Sequence, residues 1–303
     1  MNATASKTVT ICSLVLATLG RDRELEVFLE SLKAQTCRDF ELIVIDQNRD
    51  GRIDSILCAY EGWFPIRHIK VDFTGNARAR DYGIAFARGS VVAFPDDDCA
   101  YESDVLERVM AAFSEHAELG ILCAGCYDFG KTDFSIGVNP AKAGPFSRFS
   151  MVGVEFTHFF HLQRLDNKEF HLDHDFGIGS KYSGGEGFEL LYRLLRAGGI
   201  GYYDPAIRIC HANKDSYQVG ADRMLKYSSG VGAYIRKFAN ERDAAMLYFI
   251  ARKMFIVPVL KLFIAALSLN PGRIRYSYNN LVGVWHGFMA YQPAGETEGN
   301  SHA

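Results

Sequence analysis

From Thr8 to Leu16 the chain is apolar and rich in β-branched residues (TVTICSLVL), a run of strand length. Glu24–Gln35 then sets Leu25, Phe28, Leu29 and Leu32 at helical spacing, which predicts an amphipathic helix. Phe40–Ile45 (FELIVI) predicts a second strand, and its nearly unbroken apolar character suits burial on both faces. Ile66–Val71 predicts a third strand, Ala77–Ala87 a helix, and Val91–Pro95 a fourth strand. Strands alternating with helices predict an α/β fold, a mostly parallel sheet flanked by helices. In such sheets ligands bind beyond the carboxyl ends of the strands.

Polar residues stand at those ends. Thr18 follows the first strand, Asp46 the second, and Asp96-Asp97-Asp98 the fourth. Three adjacent carboxylates repel one another unless a positive partner offsets them. Mg²⁺ or Mn²⁺ would do so, since both take hard oxygen ligands and bridge to substrate phosphates. A solvated acidic turn or a helix N-cap, with Asp98 and Asp104 near a helix start, would use the same residues. The position after an apolar strand, alongside Thr18 and Asp46, favours a site.

Between Tyr127 and Ser180 the periodicity fades and Gly, Phe and polar residues dominate, which predicts substrate-facing loops on a rigid scaffold. Glu186–Ala197 predicts a helix, with Phe188, Leu191, Leu194 and Leu195 on its apolar side. Ala206–Cys210 is strand-like and ends at His211. His158-x-x-His161 and His171-x-x-His174 have zinc-like spacing but no Cys nearby, so acceptor contact or packing is the better reading. Cys123-x-x-Cys126 lacks a second pair and reads as small buried residues rather than a metal or redox site. Seven scattered Cys do not form a disulfide framework. Ile11–Leu19 could pass for a signal-peptide core, but one Lys precedes it and no convincing small-residue cleavage site follows. A buried strand and a cytosolic compartment fit better.

These segments resemble the inverting family 2 glycosyltransferases. The resemblance rests on Thr18-Leu19-Gly20-Arg21, Phe40–Asp46, Asn76–Gly83 (NARARDYG), Phe94–Cys99 (FPDDDC) and Ser183–Leu190 (SGGEGFEL), in that order, and covers roughly residues 7 to 212. It implies a GT-A (Rossmann-like) sheet and bacterial surface-polysaccharide chemistry. It also implies that Thr18, Arg21, Asp46, Asp96 and Asp97 bind the donor, a sugar linked to a nucleoside diphosphate. Arg80 would lie near the diphosphate, where a guanidinium can take two phosphate oxygens at once, with Arg78 as a weaker candidate. Asp96-x-Asp98 resembles the family's D-x-D motif for Mn²⁺ or Mg²⁺, and His211 either adds a metal ligand or packs against the backbone. Glu186 is the expected base that deprotonates the acceptor hydroxyl, with Glu189 as the alternative. The family commonly has a second acid next to Glu186, where this chain has Gly187.

Residues 1–215 are therefore expected to form the catalytic domain, with 1–100 on the nucleotide-sugar side and 101–215 on the acceptor side. Residues 216–303 form a helical extension of different character. Ala244–Leu269 is strongly apolar but interrupted by Arg252, Lys253, Pro258 and Lys261, so no uncharged run reaches the ~20 residues of a membrane span. At helical spacing Arg252 and Lys261 fall roughly opposite each other. Peripheral membrane contact through residues 223–291 fits, as does a packed subdomain or a dimer interface. The whole chain has 303 residues and a net charge of -3, which argues against nucleic acid as a partner. That average hides an asymmetry. Arg223–Arg275 holds ten Lys and Arg against Glu241 and Asp243, a charge of +8, so the rest carries -11.

The expectation is a glycosyltransferase at the cytoplasmic face of a membrane, acting on a saccharide or lipid-linked acceptor. Two other readings remain: a sugar-1-phosphate nucleotidyltransferase, and a non-catalytic sugar-nucleotide-binding or scaffold protein. The single glycine in Ala17–Arg21 weighs against the first, and Gly187 raises the second.

Overall fold

The computed structural model describes residues 12–212 and 220–293. The predicted strand start at 8–11 and the predicted domain boundary at 215/216 lie outside the described residues. Strands β1 (Cys12–Thr18), β2 (Phe40–Asp46), β3 (Ile66–Lys70) and β4 (Val91–Ala93) pair in parallel in the order β3-β2-β1-β4. Every residue of β1 and β2 is buried, which accounts for their unbroken apolar runs. Successive side chains enter opposite cores. Leu14, Leu16, Leu42 and Val44 pack with helix α1 (Arg23–Lys33), while Val15, Ala17, Ile43 and Ile45 face the other layer.

The sheet continues with strands less visible in the sequence, apart from the run Ala206–Cys210 that ends the last of them. These are β5 (Cys99–Tyr101), β6 (Ile121–Tyr127), β7 (Gly144–Phe146), β8 (His158–His161) and β9 (Gly201–His211). Beyond β4 the order is β8-β6-β9-β5, with β7 also on β9. Strand β8 is antiparallel to both β4 and β6. The stretch expected to be loop throughout, 127–180, therefore contributes a central strand. His158-Phe-Phe-His161 is buried at all four positions and too short to show a period.

Helices α2 (Asp54–Cys58), α3 (Asn76–Ile84), α4 (Val105–Glu115) and α5 (Glu186–Arg196) follow in chain order. Helix α3 lies close on the sheet because Gly83 has no side chain. A Cβ there would collide with Val15 and press on Ile45. That approach brings Arg80 to the carboxyl end of β4.

The chain divides into two compact units, Met1–Leu172 with Leu190–Asn213, and Asp173–Glu189 with Lys214–Ala303. The sequence-based division kept 173–189 with the catalytic half, whereas its packing groups it with the C-terminal helices. The second unit holds α6 (Ala221–Asn240), α7 (Ala245–Phe249), a π-helical turn at Ile250–Ile256, α8 (Val257–Leu267) and α9 (Pro271–Ala290). Helices α6 and α9 pack backbone to backbone. A Cβ at Gly232 would overlap the Val284 carbonyl, and one at Gly287 would overlap that of Ser229. No helix among the described residues is long and apolar enough to cross a membrane.

Candidate functional site

The register of β1 on β2 sets Thr18 beside Asp46 at the carboxyl edge of the sheet. Asp46 is fully buried, yet its carboxylate is satisfied. One oxygen accepts from the Asn48 backbone N–H at 2.9 Å and from Asn48 Nδ2 at 2.8 Å, and the other lies 2.9 Å from His68 Nε2. His68 was not anticipated. It stands on β3, the strand next to β2, and only that pairing shows that it reaches Asp46. Asp54 completes a group of three there, and its own charge is answered by Lys70 Nζ at 2.7 Å.

The acidic turn after β4 is held from two sides. Thr18 Oγ1 donates to Asp97 Oδ2 at 2.7 Å, and Arg21 Nη1 reaches Asp97 Oδ1 at 2.9 Å and also pairs with Asp98 Oδ2. Burial raises the Asp97 carboxyl to about 6 despite Arg21 and Thr18. For Asp98, burial acts in the same direction, but His211 and Arg21 outweigh it and hold the group well below the usual carboxylate range. Thr18, Arg21, Asp97 and Asp98 thus form one connected cluster.

Arg80 approaches from within the protein. Its guanidinium is buried, donates to Asp96 Oδ1 at 2.6 Å and to the Phe94 carbonyl at 3.2 Å, and pairs with Glu155 Oε1 at 2.8 Å. The expected two-oxygen contact with a diphosphate therefore meets a guanidinium directed at the protein's own carboxylates. Its visible work is to orient Asp96. Arg78 instead stacks over Phe73, 4.0 Å from the ring centre.

His211 reaches the turn through strand register, because Cys99 of β5 pairs directly with His211 of β9. Its Nε2 lies 3.3 Å from Asp98 Oδ1, and its Nδ1 lies 2.9 Å from the Ala212 carbonyl. A carbonyl only accepts, so Nδ1 carries a hydrogen, and Nε2 is the ring atom turned to the Asp98 carboxylate. Phe156 stacks on the ring at 5.1 Å and fixes its plane. The ligand atoms of Asp96, Asp98 and His211 lie within 4.8 Å of one another. Two carboxylate oxygens and one imidazole nitrogen at that separation fit a six-coordinate ion such as Mn²⁺ or Mg²⁺, with positions left for phosphate oxygens.

The candidate bases belong to the second unit. Glu186 opens helix α5, where the helix dipole favours a negative charge. A Cβ on Gly177, whose φ is +100°, would come within 3.0 Å of Glu186 Oε1, so glycine lets the loop lie against this carboxylate. Glu189 is fully buried, and its Oε1 accepts from Lys237 Nζ at 2.7 Å, while the same ammonium reaches Asp173 Oδ2 at 2.7 Å. Burial alone would lower the Lys237 pKa, but the two carboxylates raise it. Lys237 lay outside the sequence reading, since helix spacing gives no hint of its partners.

Other singled-out residues take structural roles. His158 is buried with Nε2 2.9 Å from the Val152 carbonyl, and its pKa is pushed down to about 4 by that burial. Neither His158 and His161 nor His171 and His174 enter a metal-competent group among the described residues. Cys123 and Cys126 are buried on β6, and burial raises their thiols to about 12 and about 11, far from reactive.

Known proteins share this architecture. The mannosyltransferase PcManGT from Pyrobaculum calidifontis, solved in complex with GDP-Man and Mn²⁺, superposes with a TM-score of 0.62 over 92% of this chain and 87% of its own, at 13% identity. S. aureus TarS 1-349 in complex with UDP-GlcNAc gives a TM-score of 0.57 over 93% of each chain, at 12% identity. At such identities the likeness concerns the fold. In sequence, a PGL/p-HBAD biosynthesis glycosyltransferase of Mycobacterium bovis (strain BCG / Pasteur 1173P2) is 35% identical over 108 residues. That match spans 34% of this chain and 42% of the relative's length. The profile described as Glycosyl transferase family 2 matches residues 13–181, more than half of the chain. With the GT-A type of sheet and the residues at its carboxyl edge, this match makes the chain a member of glycosyl transferase family 2.

Proposed function

We propose that the protein is a divalent-cation-dependent, inverting glycosyltransferase that passes a sugar from a nucleoside-diphosphate donor to the hydroxyl of a lipid-linked saccharide at the cytoplasmic face of a membrane. The observation that carries this reading is the register of Cys99 with His211, which adds an imidazole to the carboxylates of Asp96 and Asp98. The nucleotide sugars bound by the two structural neighbours support the donor class.

Thr18 and Asp46 would hold the nucleoside, with Asp46 accepting from base or ribose through lone pairs that Asn48 and His68 leave available. Asp96, Asp98 and His211 would hold the cation, which when bound supplies positive charge to the departing diphosphate. Asp97 keeps Thr18 and Arg21 in place. Arg21, half-buried at the rim of the turn, would reach the phosphate oxygens. Arg80 keeps Asp96 directed outward. Glu186 would take the acceptor proton as the acceptor oxygen attacks the anomeric carbon and the bond to the diphosphate oxygen breaks on the opposite side, which inverts the configuration. The place of Glu186 at the first position of α5, against the fully buried site of Glu189, supports Glu186 over Glu189.

The test is a thermal-shift screen of nucleotide sugars with Mn²⁺, repeated on Asp98→Ala. Stabilisation by one donor that requires the metal and disappears in the variant is the expected result. No response to any nucleotide sugar would contradict the reading.

A further inference from the structure

From Ala244 to Pro293 the chain carries Arg252, Lys253, Lys261, Arg273 and Arg275 and not one Asp or Glu. The same segment exposes many large apolar side chains. In α8 only Pro258 and Ala265 are buried, whereas Val259, Leu260, Phe263, Ile264 and Leu267 are each more than half exposed. At 3.6 residues per turn these five cover one continuous arc of about 140°. The surface extends beyond α8. Phe255 meets Trp285 edge to face at 5.2 Å, and Trp285 with Leu281, Val282 and Met289 lines an open apolar groove of about 610 Å³.

The cations gather beside this face. A regular helix would set Arg252 and Lys261 roughly opposite each other, but the π turn at Ile250–Ile256 shifts that register. Lys253 is half-buried, and its pKa is lowered by that burial and by the nearby charges of Arg252 and Lys261. Three like charges near one another, with no carboxylate in Ala244–Pro293, give this face the charge to favour an anionic partner.

We propose that this face docks on an anionic lipid bilayer, with Leu260, Phe263, Ile264 and Leu267 among the acyl chains and Arg252, Lys253 and Lys261 on the lipid phosphates. An 11-residue helix is about 16 Å long, roughly half of a hydrocarbon core, so α8 lies in the interface and does not span it. Charge decides against a second copy as the occupant. A two-fold contact would bring this acid-free segment against itself, cation facing cation. A bilayer carrying acidic headgroups offers both an apolar interior and a negative surface, which is the complement required. The inference rests on the lipid-linked reading for its purpose only, and its test measures binding rather than transfer.

The full chain is floated with phosphatidylcholine vesicles that contain or lack phosphatidylglycerol. Binding to the anionic vesicles is expected, at least ~10-fold weaker on neutral ones and weakened by salt. Phe263→Glu with Leu267→Glu should abolish it. Arg252→Gln with Lys253→Gln and Lys261→Gln should lower it ~10-fold and flatten its salt dependence. Far-UV circular dichroism confirms folding, and Leu260→Ser serves as a milder apolar variant. No vesicle binding, equal binding to both vesicle types, or binding unmoved by every variant would overturn the proposal. So would a dimer that Phe263→Glu with Leu267→Glu splits while vesicles are ignored. Failure of the native chain to bind vesicles, with donor-induced stabilisation intact, would count against docking alone and leave the catalytic reading in place.

Discussion

The buried guanidinium of Arg80 donates to Asp96 Oδ1 at 2.6 Å while its other arm pairs with Glu155 at 2.8 Å. A cation from the interior thus sets the outermost carboxylate of the acidic turn. Arg80→Met would leave Glu155 and Asp96 without that charge, and urea unfolding should show a loss of about 3 kcal/mol. Arg80→Lys should recover only part of it, since an ammonium cannot serve both acids and the Phe94 carbonyl with a fixed fork. Unchanged stability in Arg80→Met would refute the positioning role.

The two glutamates of α5 should separate cleanly. Glu186→Gln is expected to lower kcat by ~10²- to 10⁴-fold with little change in melting temperature, as for loss of a general base. Glu189→Gln should instead cost stability, because Lys237 loses one of the two carboxylates that answer its charge, and activity per folded molecule should survive. Transfer that persists in Glu186→Gln but vanishes in Glu189→Gln would reverse the assignment.

Arg21 occupies one of the two acids that a metal would bind. Its contacts with Asp97 and Asp98 place a positive charge beside Asp98, one of the three residues that can share a cation. Arg21→Met removes a competitor, so Mn²⁺ affinity without nucleotide should rise several-fold. Donor affinity should fall ~10-fold through the lost phosphate contact. Isothermal titration reads both numbers, and a fall in metal affinity would show that Arg21 supports the site rather than competes for it.

His158 sets a pH dependence of stability. Its folded pKa is about 4 against an ordinary 6.5, because burial opposes the charged ring. Between these values the unfolded chain holds a proton that the folded chain excludes, so stability should fall as pH drops from about 6.5 toward 4, by up to ~3 kcal/mol. Above that window the group contributes no slope. Denaturant midpoints for the native chain and His158→Gln should converge on acidification, and parallel curves would rule the histidine out.

The sequence carries the first four strands of the sheet plainly, because β1 and β2 are continuous apolar runs whose polar ends, Thr18 and Asp46, stand together at the carboxyl edge. Beyond β4 only the end of β9, Ala206–Cys210, is legible as a strand. Strand β8 is four residues of aromatic and histidine without alternation, and its place between β4 and β6 is a long-range choice. The same distinction governs the site. The acidic turn is visible as a local motif, whereas His68 depends on strand pairing and Lys237 on helix packing. The partners of Arg80 are hidden for the same reason, since nothing in Asn76–Gly83 signals that Glu155 stands behind it. The Gly184-Gly185 pair reads as part of a catalytic motif. Its backbone explains it as well, because both residues hold positive φ (106° and 88°) and a Cβ on Gly185 would come within 3.0 Å of the Gly230 backbone.

The most direct measurement is Mn²⁺ binding followed by electron paramagnetic resonance, with UDP or GDP present, on the native chain, Asp98→Ala and His211→Ala. If Asp96, Asp98 and His211 share the cation that meets the donor diphosphate, the native chain binds Mn²⁺ more tightly with nucleotide. Each variant should then weaken that binding by roughly 10- to 100-fold. Equal affinity in all three proteins, or an affinity that ignores the nucleotide, would contradict the account.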